Sequence, residues 1–488
     1  MMFSHKIRFV IFLNLIILIN CCEDFWKDWI SCSPENTCYQ FKKAKVEIVG
    51  NTMTITCEKD HIDLRLMRCL DARNIQKLNI NDCYASHFDV SDFVSTEGIT
   101  EVDVWNRPYT KNFESITFTD MPLLKSVKLS KTSELINMEF KNLPSLNYLE
   151  VHKYSFGLME ERDYSYGALN ISLEIFKEVP NLRRLDWSYN NIDSLHQSVF
   201  RKLTRLEHLD LEGNEIKELP GKLLRGLSNL RVIFIAFNRE LNSIPSRFLK
   251  GLINLTKFYA GYCSLSEIKE DLFTDAINLE ILDLDTNKID RLPSEVFKNN
   301  QNLQELHIQE NRISTLPDGI FDGLLKLKKI NLGQNRLENL PEDTFRNLPS
   351  LETLNLAENR ITSLPENIFF SVNNLKNLVL SSNNLRSISG EFYVSSKHLE
   401  YVNLRNTSLS KWPVIDWAKY NLTYVDLSFN RFETVKLPIY TPNPMILKLS
   451  DCKIKTVYID DQKYGSNTPT YYLSNNPIDT VKRIENTD

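Results

Sequence analysis

The chain lacks a basic excess. Its 58 lysines and arginines face 63 aspartates and glutamates, for a net charge of −5 over 488 residues. Nucleic acid and anionic membrane surfaces both require clustered positive charge, so the composition argues against either as a partner. After residue 19 no apolar run reaches spanning length, and the end, "YYLSNNPIDTVKRIENTD", has no hydrophobic tail of the lipid-anchor kind. There is no H-E-x-x-H, no G-x-S-x-G and no phosphate-binding glycine loop, and the eight histidines are scattered. No catalytic residue, metal site or cofactor is therefore expected, and the chain reads as not an enzyme.

What is present begins at the N-terminus. "MMFSHKIR" carries Lys6 and Arg8, and "FVIFLNLIILI" (9–19) follows as a short apolar run. Basic start, greasy core and then a cleavage region is the order of a secretory leader, expected over residues 1–21. A run this short falls below the roughly 20 apolar residues needed to span a bilayer. The mature chain is expected to be secreted and to carry no integral membrane segment. Sequons at Asn170, Asn254, Asn406 and Asn421 permit glycosylation on that route.

The body of the chain is a repeat. "LEHLDLEGN" (206–214), "LEILDLDTN" (279–287), "LQELHIQEN" (303–311), "LKKINLGQN" (327–335), "LETLNLAEN" (351–359) and "LKNLVLSSN" (375–383) all read L-x-x-L-x-L-x-x-N. The last position recurs every 24 residues from 190 to 407, with one step of 25. Weaker copies run through 83, 107, 132 and 154 before it and 430, 452 and 476 after it. In the alternating L-x-L, two apolar side chains of a short strand point inward and the residues between them point outward. A single unit cannot bury its leucines; stacked copies can, by aligning their strands in a parallel sheet. The ninth residue then turns inward and pairs backbone groups where the chain leaves the strand. The expected ladder is Cys83, Asn190, Asn214, Asn238, Cys263, Asn287, Asn311, Asn335, Asn359, Asn383, Asn430 and Cys452.

These units, with second halves such as "ELPGKLLRGLSN" and "TLPDGIFDGLLK", resemble the extracellular leucine-rich-repeat family of the 24-residue class, which includes Toll-receptor ectodomains and secreted matrix and guidance proteins. The resemblance covers about residues 75 to 476. It implies an α/β-type solenoid, a horseshoe with a parallel sheet on its concave face and loops or short helical turns on the convex one. About 17 repeats are expected, irregular at both ends, over 75–476. The family motif permits Cys at the ladder position, so Cys263 reads as a buried spacer and not a nucleophile or half of a disulfide.

The other cysteines crowd the start: Cys22, Cys32, Cys38, Cys57 and Cys69, with Cys21 falling in the leader. The resemblance implies a disulfide-bonded cap over 22–74. Four of the five form two bridges in one of three pairings; the fifth pairs with Cys83, is cleaved away, or links two chains. Many family members close the other end with a second cysteine cluster. Here only Cys452 is near, and 477–488 reads as a tail.

In this family the inner sheet surface commonly meets protein ligands, at positions two, three, five, seven and eight of each unit. Most of those positions are polar here. Two adjacent units differ: "LRVIFIAFN" turns Val232, Phe234 and Phe237 outward and "LTKFYAGYC" sets Tyr259 and Tyr262 beside them, with Phe258 in the core. Exposed rings on a rigid surface have the character of an interface hot spot. Gly261 and Ala236 are expected to keep the floor beside them open. Asp210, Asp283 and Asp285, with Glu207, Glu212, Glu305 and Glu310, form an acidic surround suited to a basic ligand rim. Asp283 and Asp285 read as a solvated strand face, since the same alternation gives "LDLEGN" and "VDLSFN" elsewhere. A second candidate is the long unit between 154 and 190, whose insert places Tyr164 and Tyr166 beside acidic residues as weak candidates for sulfation.

The expected function is non-catalytic extracellular recognition, in adhesion, in matrix, or as a soluble partner in signalling or defence. The expected partner is an extracellular protein ligand or co-receptor. Alternatives are a self-associating matrix protein and the ectodomain of a Toll-like receptor whose remainder is absent from the sequence.

Overall fold

The computed structural model describes residues 38–41, 44–57, 72–83, 87–90, 93, 95–107, 113–132, 137–153, 171–386, 396–413 and 417–484. It divides into two compact units. The first holds Met1–Ile216 and Lys222–Leu230; the second holds Lys217–Gly221 and Arg231–Asp488.

In the second unit each repeat contributes a three-residue strand. Val232–Phe234 pairs in parallel with Lys257–Tyr259, then Ile281–Asp283, Glu305–His307 and so on to Thr470–Tyr472. The middle residue of each strand faces the core: Ile233, Phe258, Leu282, Leu306 and Ile330 are fully buried. Each such side chain removed from water contributes roughly 1.5–3 kcal/mol. The return segments are tight turns, as at Leu252, whose N–H donates to Leu249 O at 3.1 Å. Phenylalanines from these turns form a second column behind the leucines, with Phe321, Phe345 and Phe369 at successive centroid spacings of 6.3 and 6.2 Å.

The ladder residues close each strand. Asn311 Nδ2 donates to Leu284 O (2.9 Å) in the preceding repeat and to Ile308 O (3.2 Å) in its own, while its Oδ1 receives the N–H of Ile289 (3.0 Å). The residue just before each ladder position is left-handed, from Tyr189 and Phe237 through Glu310 and Gln334 to Phe429, with φ between 53° and 60° at those five. That turn swings the following side chain into the core. Cys263 and Cys452 serve similarly through sulfur, their thiols donating to Ile235 O (3.4 Å) and Leu427 O (3.2 Å).

The first unit uses longer strands, Thr52–Cys57, Lys77–Asn81, Glu101–Trp105, Ser126–Ser130 and Tyr148–His152, all in parallel register. Ala44–Val49 adds an antiparallel strand at its start. Three parallel strands on the return side, His87–Asp89, Ser115–Thr119 and Asn137–Lys141, form a separate sheet. In the second unit Thr434–Tyr440, Thr456–Lys463 and Thr480–Ile484 form a similar one. The described residues include a short 3-10 turn, Thr96–Gly98.

One expectation needs correction here, and one alternative left open is decided. The weak early copies keep the strand register, since Trp105 pairs with Asn81 and Ser130, but position 107 does not turn inward: Asn106, the residue before it, is buried instead, and position 154 lies outside the described residues. Arg107 instead stays exposed and pairs with Asp82 at 2.8 Å. Cys83 is in ladder register and fully buried, and of the alternatives left open for the fifth cysteine the structure has the bond to Cys83, made by Cys57, with Cα atoms 5.0 Å apart. The parallel pairing of Thr52–Cys57 with Lys77–Asn81 carries both chains past their strand ends side by side, which brings the two sulfurs together. The bridge therefore joins a residue of the 22–74 segment to the first repeat.

Candidate functional site

The side chains that do not enter the core form an open face of the sheet, and in the second unit its first two strands are aromatic. Phe234 lies opposite Tyr259 in the parallel register, and their rings stack at 4.5 Å with planes 5° apart. Three residues on, Phe237 and Tyr262 repeat the arrangement at 4.3 Å and 9°. Both residues of this second pair are left-handed, with φ of 57° and 52°, so the turn that aims the ladder residues inward also holds these rings up. Val232, Phe234, Phe237 and Tyr259 are half-buried against one another, and Tyr262 is 41% exposed. Beneath them Cys263 is buried, which pushes its thiol up to about 12 and leaves it protonated and unreactive.

The next two strands are acidic. Asp283 follows Tyr259 in register, and Asp283 Oδ1 receives the N–H of Asp285 at 3.0 Å. Asp285 does not point to solvent. Its carboxylate lies over Gly261, where a Cβ would meet its Oδ1 at 2.0 Å. Gly261 thus does not leave an open floor, as its lack of a side chain suggested; it makes room for a carboxylate from the neighbouring repeat. Asp285 Oδ2 receives Gln309 Nε2 (3.2 Å) and Thr286 Oγ1 (3.4 Å). Burial first, and then the charge of Asp283, raise Asp285 to about 7. The reading of both aspartates as solvated is corrected for Asp285: the Gly261 gap draws it down between neighbouring chains. Among the described residues none of Asp283, Asp285 and Glu310 has an ion-pair partner, whereas Glu305 meets His307 (3.1 Å) and Lys329 (3.8 Å).

Asp210 belongs to the first unit, apart from this group, in a cluster of its own. His152 Nε2 and Ser188 Oγ each reach Asp186 Oδ1 at 2.8 Å, and Ser188 Oγ lies 2.9 Å from the same His152 nitrogen. A serine–histidine–aspartate relay needs the carboxylate and the hydroxyl on opposite ring nitrogens. Here both meet Nε2, and Ser188 donates to the carboxylate, so the trio is a buried polar bracket and not a nucleophile with its base. Burial opposes the charge on His152, but Asp186 more than restores it and holds the imidazole above its ordinary value. Asp210, desolvated and beside Asp186, is raised to about 7. His208, desolvated and near Arg184, falls to about 4. Among the described residues no group of three or more His, Cys, Asp or Glu side chains is arranged to hold a metal.

The Leucine rich repeat family profile matches residues 166–216, 180–239, 277–337, 301–361, 326–385 and 349–409. Over these residues the chain carries leucine-rich repeats. Among solved structures, this leucine-rich-repeat chain is similar to one in the Drosophila Toll–Spatzle complex, with TM-score 0.61 and 18% identity over 93% of this chain and 70% of that one. It is also similar to the Leptospira interrogans protein LIC12759 (TM-score 0.54, 22% identity, 74% and 86% covered) and to a chain of the TLR13–ssRNA13 complex (0.54, 19%, 83% and 68%). At these identities the likeness is one of fold. No curated protein matches.

The leucine-rich-repeat register also brings together residues that sequence reasoning passed over. Tyr401 and Tyr424 stack at 4.8 Å, Lys448 lies 5.2 Å from the Tyr424 ring and 5.9 Å from that of Tyr472, and Arg405 sits 4.0 Å over Phe429. Positions three, five and eight of adjacent repeats carry the signal, but the rings there stand beside charges that made their units look ordinary. Asn254, Asn406 and Asn421 are exposed. Asn170, Tyr164, Tyr166, Cys22, Cys32 and Cys69 lie outside the described residues, as does the side chain of Cys38. Among the described residues no helix is long and apolar enough to cross a membrane.

Proposed function

We propose that this chain is a non-catalytic, secreted recognition scaffold that binds a protein ligand on the open face of its sheet, centred on Phe234, Tyr259, Phe237 and Tyr262. The observation that carries the reading is the twin stacked ring pairs beside carboxylates that have no cationic partner among the described residues. Rigid aromatic side chains supply contact area at little entropic cost, and an apolar patch rimmed by charge is characteristic of interaction surfaces. One neighbour in fold is a Toll–Spatzle complex and another a TLR13–ssRNA13 complex, so ligand binding accompanies this architecture in both. The acidic rim favours a basic protein surface over RNA, whose phosphates it would repel.

The test is ligand capture from extracellular fluid with glycosylated secreted protein, beside a Phe234→Ser, Tyr259→Ser variant and a denatured control. Partners retained by wild type and lost by the variant are expected. Partners held equally by both would move the site off these rings. A second reading, the ectodomain of a longer receptor, draws on the Toll-like fold; immunodetection of a larger, membrane-associated product in the source tissue is the result that would favour it.

A further inference from the structure

We propose that the Asp285 carboxylate, which lies over Gly261 on the stretch between Tyr259 and Tyr262, receives an arginine side chain of the partner protein. The inference rests on the reading of the open face as a ligand surface and names the chemistry that surface takes.

Four features converge on a planar cation. First, Gly261 lies in the stretch between Tyr259 and Tyr262, whose rings stack on Phe234 and Phe237 of the preceding repeat, so an aromatic pair stands on the chain to either side of it. Second, the carboxylate reaches this point only because Gly261 has no Cβ. Third, Asp283 stands next to Tyr259 in register and Glu310 lies within electrostatic reach of Asp285, so negative charge is concentrated where none of the three carboxylates has an ion-pair partner among the described residues. Fourth, the donors that Asp285 does have, Gln309 and Thr286, are neutral and both meet Oδ2. A guanidinium satisfies these conditions together: it stacks on aromatic rings, bonds a carboxylate in a planar fork, and is more easily stripped of water than an ammonium. An acidic or neutral side chain would leave like charges crowded and unneutralised.

The probe is acetyl-Arg-Gly-Arg-amide, titrated into the full-length secreted protein at pH 8, where Asp285 is ionised, and followed by calorimetry. Its control is the same peptide with citrulline, which keeps the shape and removes the charge. Saturable binding of the arginine peptide is expected, at least tenfold tighter than the citrulline peptide. Asp285→Asn, nearly isosteric, and Gly261→Ala, which displaces the carboxylate, are each expected to weaken it at least tenfold with an unchanged thermal midpoint. Equal binding of the two peptides, absence of binding, or an Asp285→Asn variant that binds like wild type would overturn the inference. Capture of partners that depend on Phe234 and Tyr259 but ignore Asp285→Asn would sink the arginine alone and leave the ligand surface standing. Capture indifferent to the rings would remove the surface itself.

Discussion

Asn335 shows how much one residue of the ladder carries. Its amide donates to Ile308 O at 2.9 Å and Leu332 O at 3.2 Å, and its Oδ1 receives the N–H of Ile313 at 3.0 Å, all buried. Alanine there orphans several backbone groups at once, each costing about 1–3 kcal/mol. Asn335→Ala is expected to lose about 3 kcal/mol or more, measured by urea unfolding, while Lys326→Ala on the exposed return side changes little. The buried carboxylate of Asp210 leads to a pH prediction. Its folded pKa is about 7, raised by burial and by Asp186, with Glu212 and His152 also facing it. Its unfolded value is near 3.9. The folded state therefore holds a proton that the unfolded chain releases. Stability from this group is full below about pH 4, falls as pH rises, and is lost above about 7. Asp210→Asn, which can keep the acceptor for Glu212 N–H, is expected to gain on wild type by on the order of 2–3 kcal/mol between pH 5 and 8. No such gain between those two pH values would mean Asp210 titrates normally.

At the scale of elements, the first repeats depend on a covalent tie. Cys57 and Cys83 close a loop of 26 residues of sequence separation, which by loop entropy stabilises the folded state by about 3 kcal/mol. A Cys57→Ser, Cys83→Ser variant should therefore open at its N-terminal strands at lower denaturant, seen as earlier proteolytic cleavage before residue 105, with the second unit's protection unchanged. The solenoid itself was legible because its cause is local and periodic: two leucines and an asparagine, every 24 residues, leave one way to bury the first and satisfy the second. Adjacency of Phe234 and Tyr259 follows from the same register. What the register could not convey is where a repeat departs from the period. That Asn106 turns inward and Arg107 outward depends on backbone geometry that the weak apolar pattern of that unit leaves open. The paired return-side strands, Ser115–Thr119 and Thr434–Tyr440 among them, lack the leucine–asparagine spelling and answer only to tertiary stacking. Asp285 was missed for a related reason. Its side chain looks solvated within its own repeat, and only the glycine of the preceding repeat gives it somewhere to go.

For the molecule as a whole, the question is how much of the open face a large ligand can use, and the sequons bear on it. Asn406 occupies the same left-handed position as Tyr262, with φ of 54°, and its Nδ2 lies 3.5 Å from Ser382 Oγ on the preceding repeat. Six strand steps separate the two positions, roughly 29 Å at about 4.8 Å per step. A glycan on Asn406 would stand over the strands that carry Tyr401 and Tyr424 and shield that end, leaving the ring pairs and their acidic rim clear. Intact-mass comparison before and after deglycosylation reads whether Asn406 is modified. If it is, partners captured through Phe234 and Tyr259 should bind an Asn406→Gln variant within about twofold of wild type, because a surface change this far away couples weakly to the site. An increase of tenfold or more would show that the glycan covers part of the seat, extending the ligand's footprint from the aromatic strands to Tyr401 and Tyr424. Partner binding that is unchanged in Asn406→Gln but falls steeply between 50 and 300 mM salt would place the recognition energy at the acidic rim beside the ring pairs.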